Sequence, residues 1–103
     1  MQSVDVIRLK EMIAAKEHFL LIDVREPHEH AAFNIGGELM PLSTLAVQLH
    51  RIPTGTDVVI YCQKGVRSVI AIQKLQDKLP GNHLINLSGG IQAWIKAFGP
   101  TSP

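Results

Sequence analysis

Val58-Val59-Ile60-Tyr61-Cys62-Gln63-Lys64-Gly65-Val66-Arg67-Ser68 is the stretch on which the reading of this chain turns. Its first four residues are apolar and strand-like, and the run from Val69 to Lys78 that follows it is helix-like. Between them, Cys62 to Ser68 forms a short loop that holds the only cysteine. A loop that leaves a strand and enters a helix points its backbone N–H groups into its own cup, and the helix start adds partial positive charge. A cysteine at the rim of such a cup is favoured as thiolate, and Lys64 and Arg67 flank it with positive charge. The competing reading is a buried, inert thiol, since free cysteine is among the most buried residue types.

Working outward, strands alternate with helices. Asp5 is placed to cap a first helix whose apolar positions Val6, Leu9 and Ile13 share a face. Phe19 to Val24 is a nearly continuous apolar run, the pattern of a parallel strand buried on both faces, with Asp23 as an expensive exception. Pro27 suits the first turn of a short helix reaching about Phe33. Glu38 to Pro41 reads as a short strand closed by a proline that cannot join a central ladder. Ser43 or Thr44 would cap a helix carrying Leu45, Leu49 and Ile52. In the helix beyond the cysteine, Ala71, Ile72, Leu75 and Leu79 share one face, and Val69 and Ile70 make its beginning apolar all round, so it should be buried. His83 to Leu87 reads as a further strand, and Ser88-Gly89-Gly90 as a turn into a short helix with Ala93, Trp94 and Ile95.

The alternation predicts a three-layer α/β domain with a mostly parallel sheet and helices on both faces. One domain over residues 1–99 accounts for the 103 residues, with 100–103 as a short flexible tail. In such sheets ligands bind outside the carboxyl ends of the strands. Asp23-Val24-Arg25, the Cys62 loop and Ser88-Gly89-Gly90 all lie at such ends, so three stretches converge on one site.

Composition narrows the rest. Hydrophobic residues make up 46% and charged ones 18%, globular values that exclude wholesale disorder. A net charge of +1 without arginine- or lysine-rich runs argues against a nucleic-acid surface. No apolar run approaches the roughly 20 residues of a spanning helix, which points to a soluble and, by default, cytoplasmic protein. A single cysteine excludes a disulfide within the chain, a Cys-x-x-Cys pair and a cysteine-rich zinc site.

Around the loop, Gly65 serves backbone geometry or close approach to an anion. Lys64 reads as ligand-facing, and Arg67 either reaches the anion or caps carbonyls and pairs with Glu26. Asp23 reads as structural, accepting backbone or arginine hydrogen bonds. Arg25 and Glu26 read as a solvated pair or a rim that orders the loop. His28 and His30, two apart around Glu29, do not share a helix face, so they read as solvated histidines and no metal site is assigned. Gly89-Gly90 is either a mere turn or, with Trp94 walling a pocket, a place where backbone approaches the loop.

Leu21-Ile22-Asp23-Val24-Arg25-Glu26-Pro27, Ile60-Tyr61-Cys62 with Gly65 and Arg67-Ser68, and Gly89-Gly90-Ile91-Gln92-Ala93-Trp94 together resemble the rhodanese family of sulfurtransferases, in the family's order. The resemblance implies a sheet of about five strands and a Cys62 that takes sulfane sulfur as a persulfide, with no cofactor. Gln63, Lys64, Gly65, Val66, Arg67 and Ser68 would bind the anion, as an oxyanion hole binds oxygen. Thiosulfate or a persulfide would be the donor. Cyanide, a thiol, a sulfur-carrier protein or a thioredoxin-like reductant would be the acceptor. Asn34-Ile35-Gly36-Gly37 departs from the His-Ile-Pro-Gly common in the family and looks more like rhodanese domains appended to adenylating enzymes. The run from Cys62 to Arg67 is one residue shorter than the phosphatase-type loop, which leaves phosphate or arsenate chemistry as the alternative enzyme and a non-catalytic interaction module as the alternative class.

Overall fold

The computed structural model describes every residue from Met1 to Pro103. Five strands form one sheet: β1 (Gln2–Val4), β2 (Leu20–Asp23), β3 (Glu38–Leu39), β4 (Val58–Tyr61) and β5 (Leu84–Leu87). Their order is β1-β5-β4-β2-β3, and every pairing is parallel. Four helices accompany them: α1 (Val6–Ala14), α2 (Pro27–Ala32), α3 (Val66–Leu75) and α4 (Gly90–Phe98). The expected α/β architecture is present, and the strand that composition does not reveal is β1. It is three residues long and largely exposed, an edge strand with no apolar run to announce it.

β4 is the centre of the sheet. Val58, Val59, Ile60 and Tyr61 are all 0% exposed because strands flank them and helices cover both faces. Successive side chains of a strand point to opposite faces. Val59 and Tyr61 therefore enter a core built with Val6, Leu9 and Met12 of α1 and Ile91 and Trp94 of α4. Val58 and Ile60 enter a second core built with Ala71, Ile72 and Leu75 of α3 and with Leu45 and Ile52. Cys62, the next residue in the alternation, belongs to this second core.

Four local expectations change. The helix after the cysteine begins at Val66 rather than Val69, because Gly65 takes the left-handed conformation (φ 93°) and turns the chain into the helix inside the loop itself. Its buried stripe is Ser68, Ala71, Ile72 and Leu75, which leaves the opposite side open: Val69 is only half-buried and Ile70 is 39% exposed, so the pair expected to be buried is not, and Val66 ahead of them is 64% exposed. The segment carrying Leu45, Leu49 and Ile52 is two 3-10 turns, Leu42–Val47 and Leu49–Arg51, with bonds such as Gln48 N–H to Leu45 O and Ile52 N–H to Leu49 O. A 3-10 turn rises about 2.0 Å per residue against 1.5 Å in an α-helix, so the same few residues span more of the sheet face. The face of α1 is completed by Met12, with Ile13 at its margin.

β2 continues outward to β3, while β4 continues the other way to β5. The carboxyl ends of β2 and β4 are thus the place where the connections diverge, which opens a crevice between them. Gly90 fixes the other wall. An added Cβ there would overlap the carbonyl oxygen of Cys62 and lie 2.9 Å from the carbonyl carbon of Gln63, at a φ of +56°. Gly55, by contrast, has φ +84° and open space around it. Gly55→Ala is expected to cost about 1 kcal/mol from backbone strain alone. Gly90→Ala, which adds a backbone collision, should lose more than about 3 kcal/mol in urea unfolding at neutral pH.

Candidate active site

Cys62 leaves the end of β4 with its side chain on the α3 side and is 1% exposed. The loop folds around its sulfur. Gly65 N–H donates to Sγ at 3.1 Å and Ser68 N–H at 3.4 Å, while Ser68 Oγ lies 3.5 Å away. The carbonyls face the other way: Cys62 O accepts from Ile91 N–H and Gln63 O from Gln92 N–H, both at 3.0 Å. The first turn of α4 thereby consumes the loop's acceptors and leaves its donors for the sulfur.

Burial pushes the Cys62 thiol up, but the hydrogen bonds of the Ser68 hydroxyl and of the Ser68, Gly65 and Lys64 N–H groups outweigh it and hold the thiol below its ordinary value. The lowering comes from hydrogen bonds rather than from the flanking cations expected to supply it. Arg67 is already engaged: its guanidinium grips Glu29 bidentately, at 2.7 and 2.8 Å. The carboxylate partner is Glu29 of α2, not Glu26. Glu26 instead precedes α2, where its N–H donates to Glu29 Oε1 at 3.1 Å and its carboxylate accepts from the Ser43 hydroxyl at 3.2 Å. Lys64 stays exposed, and with Gly89, Gln92, Ala93 and Lys96 it lines an open groove beside the loop.

Arg25 is not a solvated rim residue. It is 2% exposed and holds Asp23, itself 0% exposed, through Nε at 3.0 Å and Nη2 at 2.9 Å. Asp23 also accepts the Arg25 N–H at 3.0 Å. His30 is its second partner residue, with Nδ1 2.8 Å from Oδ2, so this histidine is tied into the network while His28 remains at the surface. The remaining donors of Arg25 reach Phe33 O at 2.6 Å and Gln63 Oε1 at 3.1 Å. Gln63 is therefore a strut between the ends of β2 and β4, its side chain turned from the cup. Tyr61, below the guanidinium of Arg25, donates its hydroxyl to Gly36 O at 2.8 Å, and burial pushes its phenol well above the ordinary range.

Gly89 and Gly90 bring α4 against the loop, and Gly65 packs on the same backbone: its added Cβ would lie 3.2 Å from Gly89 N. Trp94 does not wall the pocket. It is 1% exposed in the core beneath α4, edge-on to Phe98 at 4.7 Å, with Nε1 donating to Thr101 O at 2.9 Å. Ser102 donates to Asn34 O at 2.8 Å, a second bond made by the carboxyl-terminal residues. No group of three or more His, Cys, Asp or Glu side chains is gathered as metal ligands would be. The sequence reading of His30 as solvated is thus corrected, and neither Glu29 nor Asn86 is singled out there; Asn86 Oδ1 accepts from the Ser68 hydroxyl at 2.5 Å. For Asn86 a signal was present, a carboxamide inside an otherwise apolar strand.

A parallel α/β domain thus holds a single thiol, cupped by amide N–H groups, at the carboxyl end of its central strand. The model of the rhodanese-like domain matches residues 5–97. A sulfurtransferase of Allochromatium vinosum is 37% identical over 94 residues, covering 90% of this chain and 87% of its own. A probable adenylyltransferase/sulfurtransferase of Mycobacterium tuberculosis is 34% identical over 89% of this chain, which spans only 24% of that longer protein. Among solved structures, a rhodanese-related protein from Thermoplasma volcanium superposes with a TM-score of 0.84 at 29% identity, covering 97% of this chain and 96% of its own. The chain belongs to the rhodanese-like domain family, and its relatives place it among the sulfurtransferases.

Two measurements probe this architecture. Asp23→Asn would leave Arg25 buried without its countercharge and should cost about 3–5 kcal/mol in denaturant unfolding. The side-chain hydrogen bonds from Arg67, opposed by burial and aided by the Glu26 N–H and by nearby positive charge, hold the Glu29 carboxyl at about 2. A value lowered by folding stabilises fully above the unfolded carboxyl's 4.5 and fades as the pH falls to about 2. Glu29→Gln should therefore lose about 1 kcal/mol at pH 7, with the gap to wild type closing between pH 4.5 and 2.

Proposed function

We propose that the protein transfers sulfane sulfur through a persulfide on Cys62. The observation that carries this reading is the six-residue cup whose Gly65 and Ser68 N–H groups converge on Sγ. The Cys62 thiolate attacks the outer sulfur of a donor. A sulfur–sulfur bond forms, the donor's own sulfur–sulfur bond breaks, and its electron pair leaves with the departing group. With thiosulfate the leaving group is sulfite. The result is an anionic Cys62 persulfide whose charge lies among backbone donors fixed before the reaction begins. A nucleophilic acceptor then takes the terminal sulfur and returns the thiolate, so that cyanide would leave as thiocyanate.

The residues divide the work. Gly65 and Ser68 supply donors, and Gly65 supplies the turn that aims them. Arg25, Asp23, Gln63 and Gly90 hold the loop from both sides. Lys64, free at the rim, is the cation available to an incoming anionic donor such as thiosulfate. Arg67, paired bidentately with Glu29, is held beside the cup without leaving its partner. Relatives that join an adenylyltransferase and a sulfurtransferase in one chain support a protein acceptor, a sulfur-carrier protein, beside small thiols and cyanide.

The test is intact-mass measurement after incubation with thiosulfate. The expected result is the gain of one sulfur atom on wild type and none on Cys62→Ser, with the gain removed by cyanide. Lys64→Ala should raise the thiosulfate KM by about tenfold, the effect of losing one charge-assisted contact. No sulfur uptake from thiosulfate or from a persulfide donor would overturn the reading.

A further inference from the structure

Asn86 is a polar residue where the fold provides an apolar place. Along β5, Ile85 and Leu87 enter the core under α1 and α4, while Leu84 packs against the core under α3. By the same alternation Asn86 faces α3. It is 7% exposed and paired with Ile60 of the central strand. A buried carboxamide is costly unless it is hydrogen-bonded, and the side-chain bond Asn86 makes is to Ser68, with Oγ 2.5 Å from Oδ1. Ser68 Oγ in turn lies 3.5 Å from Cys62 Sγ. With Ser68 at 0% exposure and Cys62 at 1%, the three side chains form a chain of polar groups shut away from solvent.

A serine hydroxyl has one proton to give and an oxygen that accepts. With that proton on Asn86 Oδ1, the oxygen can accept from the sulfur, and the chain runs from Cys62 S–H to Ser68 O–H to Asn86 Oδ1. This direction suits a neutral thiol. A thiolate only accepts, so the hydroxyl must turn towards Sγ, and its oxygen then needs a donor from the other side. A carboxamide carries both kinds of group at ends of equal size. A half-turn of the Asn86 amide puts Nδ2 where Oδ1 was. The chain then runs from Asn86 N–H to Ser68 O–H to the sulfur anion, and the thiol proton has gone to solvent.

We propose that Asn86 is a positioning residue for Cys62, reversing its amide so that the Ser68 hydroxyl always faces the sulfur with the right end. The proposal rests on the reading of Cys62 as the nucleophile, and it assigns Asn86 the task of keeping Ser68 doubly hydrogen-bonded in both the thiol and the thiolate state of Cys62. Leucine offers neither group, and aspartate only accepts, which would pin the hydroxyl proton away from the sulfur. The charged groups of the site are Lys64 and Arg67 from the loop and α3, Asp23 and Arg25 at the carboxyl end of β2, and Glu29 and His30 of α2. β5 itself brings no charge. None of these groups is altered in the variants that test the idea.

The experiment is the pH dependence of iodoacetamide alkylation of Cys62 in the full chain, for wild type, Asn86→Leu, Asn86→Asp, Ser68→Ala and the Ser68→Ala/Asn86→Leu double variant. The titration midpoint should rise from wild type to Asn86→Leu and further to Asn86→Asp, the last by about one pH unit or more. Ser68→Ala should raise it as well, and adding Asn86→Leu to that background should change nothing more. If Asn86→Asp does not fold, the two leucine variants decide. Unchanged midpoints in the Asn86 variants would overturn the proposal, as would an equal shift with and without Ser68. Alkylation needs no sulfur donor, so this result stands apart from sulfur uptake: persulfide formation can fail while the midpoints shift, or succeed while they do not.

Discussion

The carbonyl oxygens of Cys62 and Gln63 are turned outward and taken by the first N–H groups of α4. That pair of backbone bonds governs the rest of the site. A peptide whose carbonyl faces one way has its N–H facing the other, so fixing acceptors on the outside of the loop leaves donors on the inside. Gly90 is what permits the approach, because any side chain there would occupy the space of the Cys62 carbonyl. The sulfur is thus served by the backbone itself, a source of donors that no rotamer change can withdraw.

The side-chain network works at one remove. Asp23 and Arg25 are buried as a pair, an arrangement that is costly in isolation and tolerable only with every hydrogen bond made. Here the making of those bonds does the positioning: Arg25 spans from Asp23 to the Phe33 carbonyl and to Gln63, joining the end of β2 to the loop after β4. Glu29 acts similarly on Arg67, drawing the guanidinium towards α2 and sharing its charge. The acidity of Cys62 therefore owes more to directed hydrogen bonds than to the count of nearby cations.

The strand-loop-helix around Cys62 and the convergence of three strand ends were legible in the sequence because they depend on local pattern: apolar runs, a lone cysteine, glycines at turns. β1 escaped because three largely exposed residues at an edge carry no pattern. The early start of α3 escaped because it depends on a left-handed Gly65, which composition permits but does not require. Trp94 was assigned to the pocket on its type alone, whereas its place on α4 turns it into the core. Glu29, His30 and Asn86 act across gaps in sequence of 38, 7 and 18 residues respectively, so their partners appear only once the sheet is assembled.

Cys62 lies at the floor of its cup, nearly inaccessible. A second sulfur bonded to it would stand about 2 Å further out, the length of a sulfur–sulfur bond. The two halves of a transfer cycle would then meet different steric demands. A donor must thread a slender terminal atom down to the floor, whereas an acceptor need only touch the mouth. Depth alone would make the loop choosy about what loads it and permissive about what unloads it.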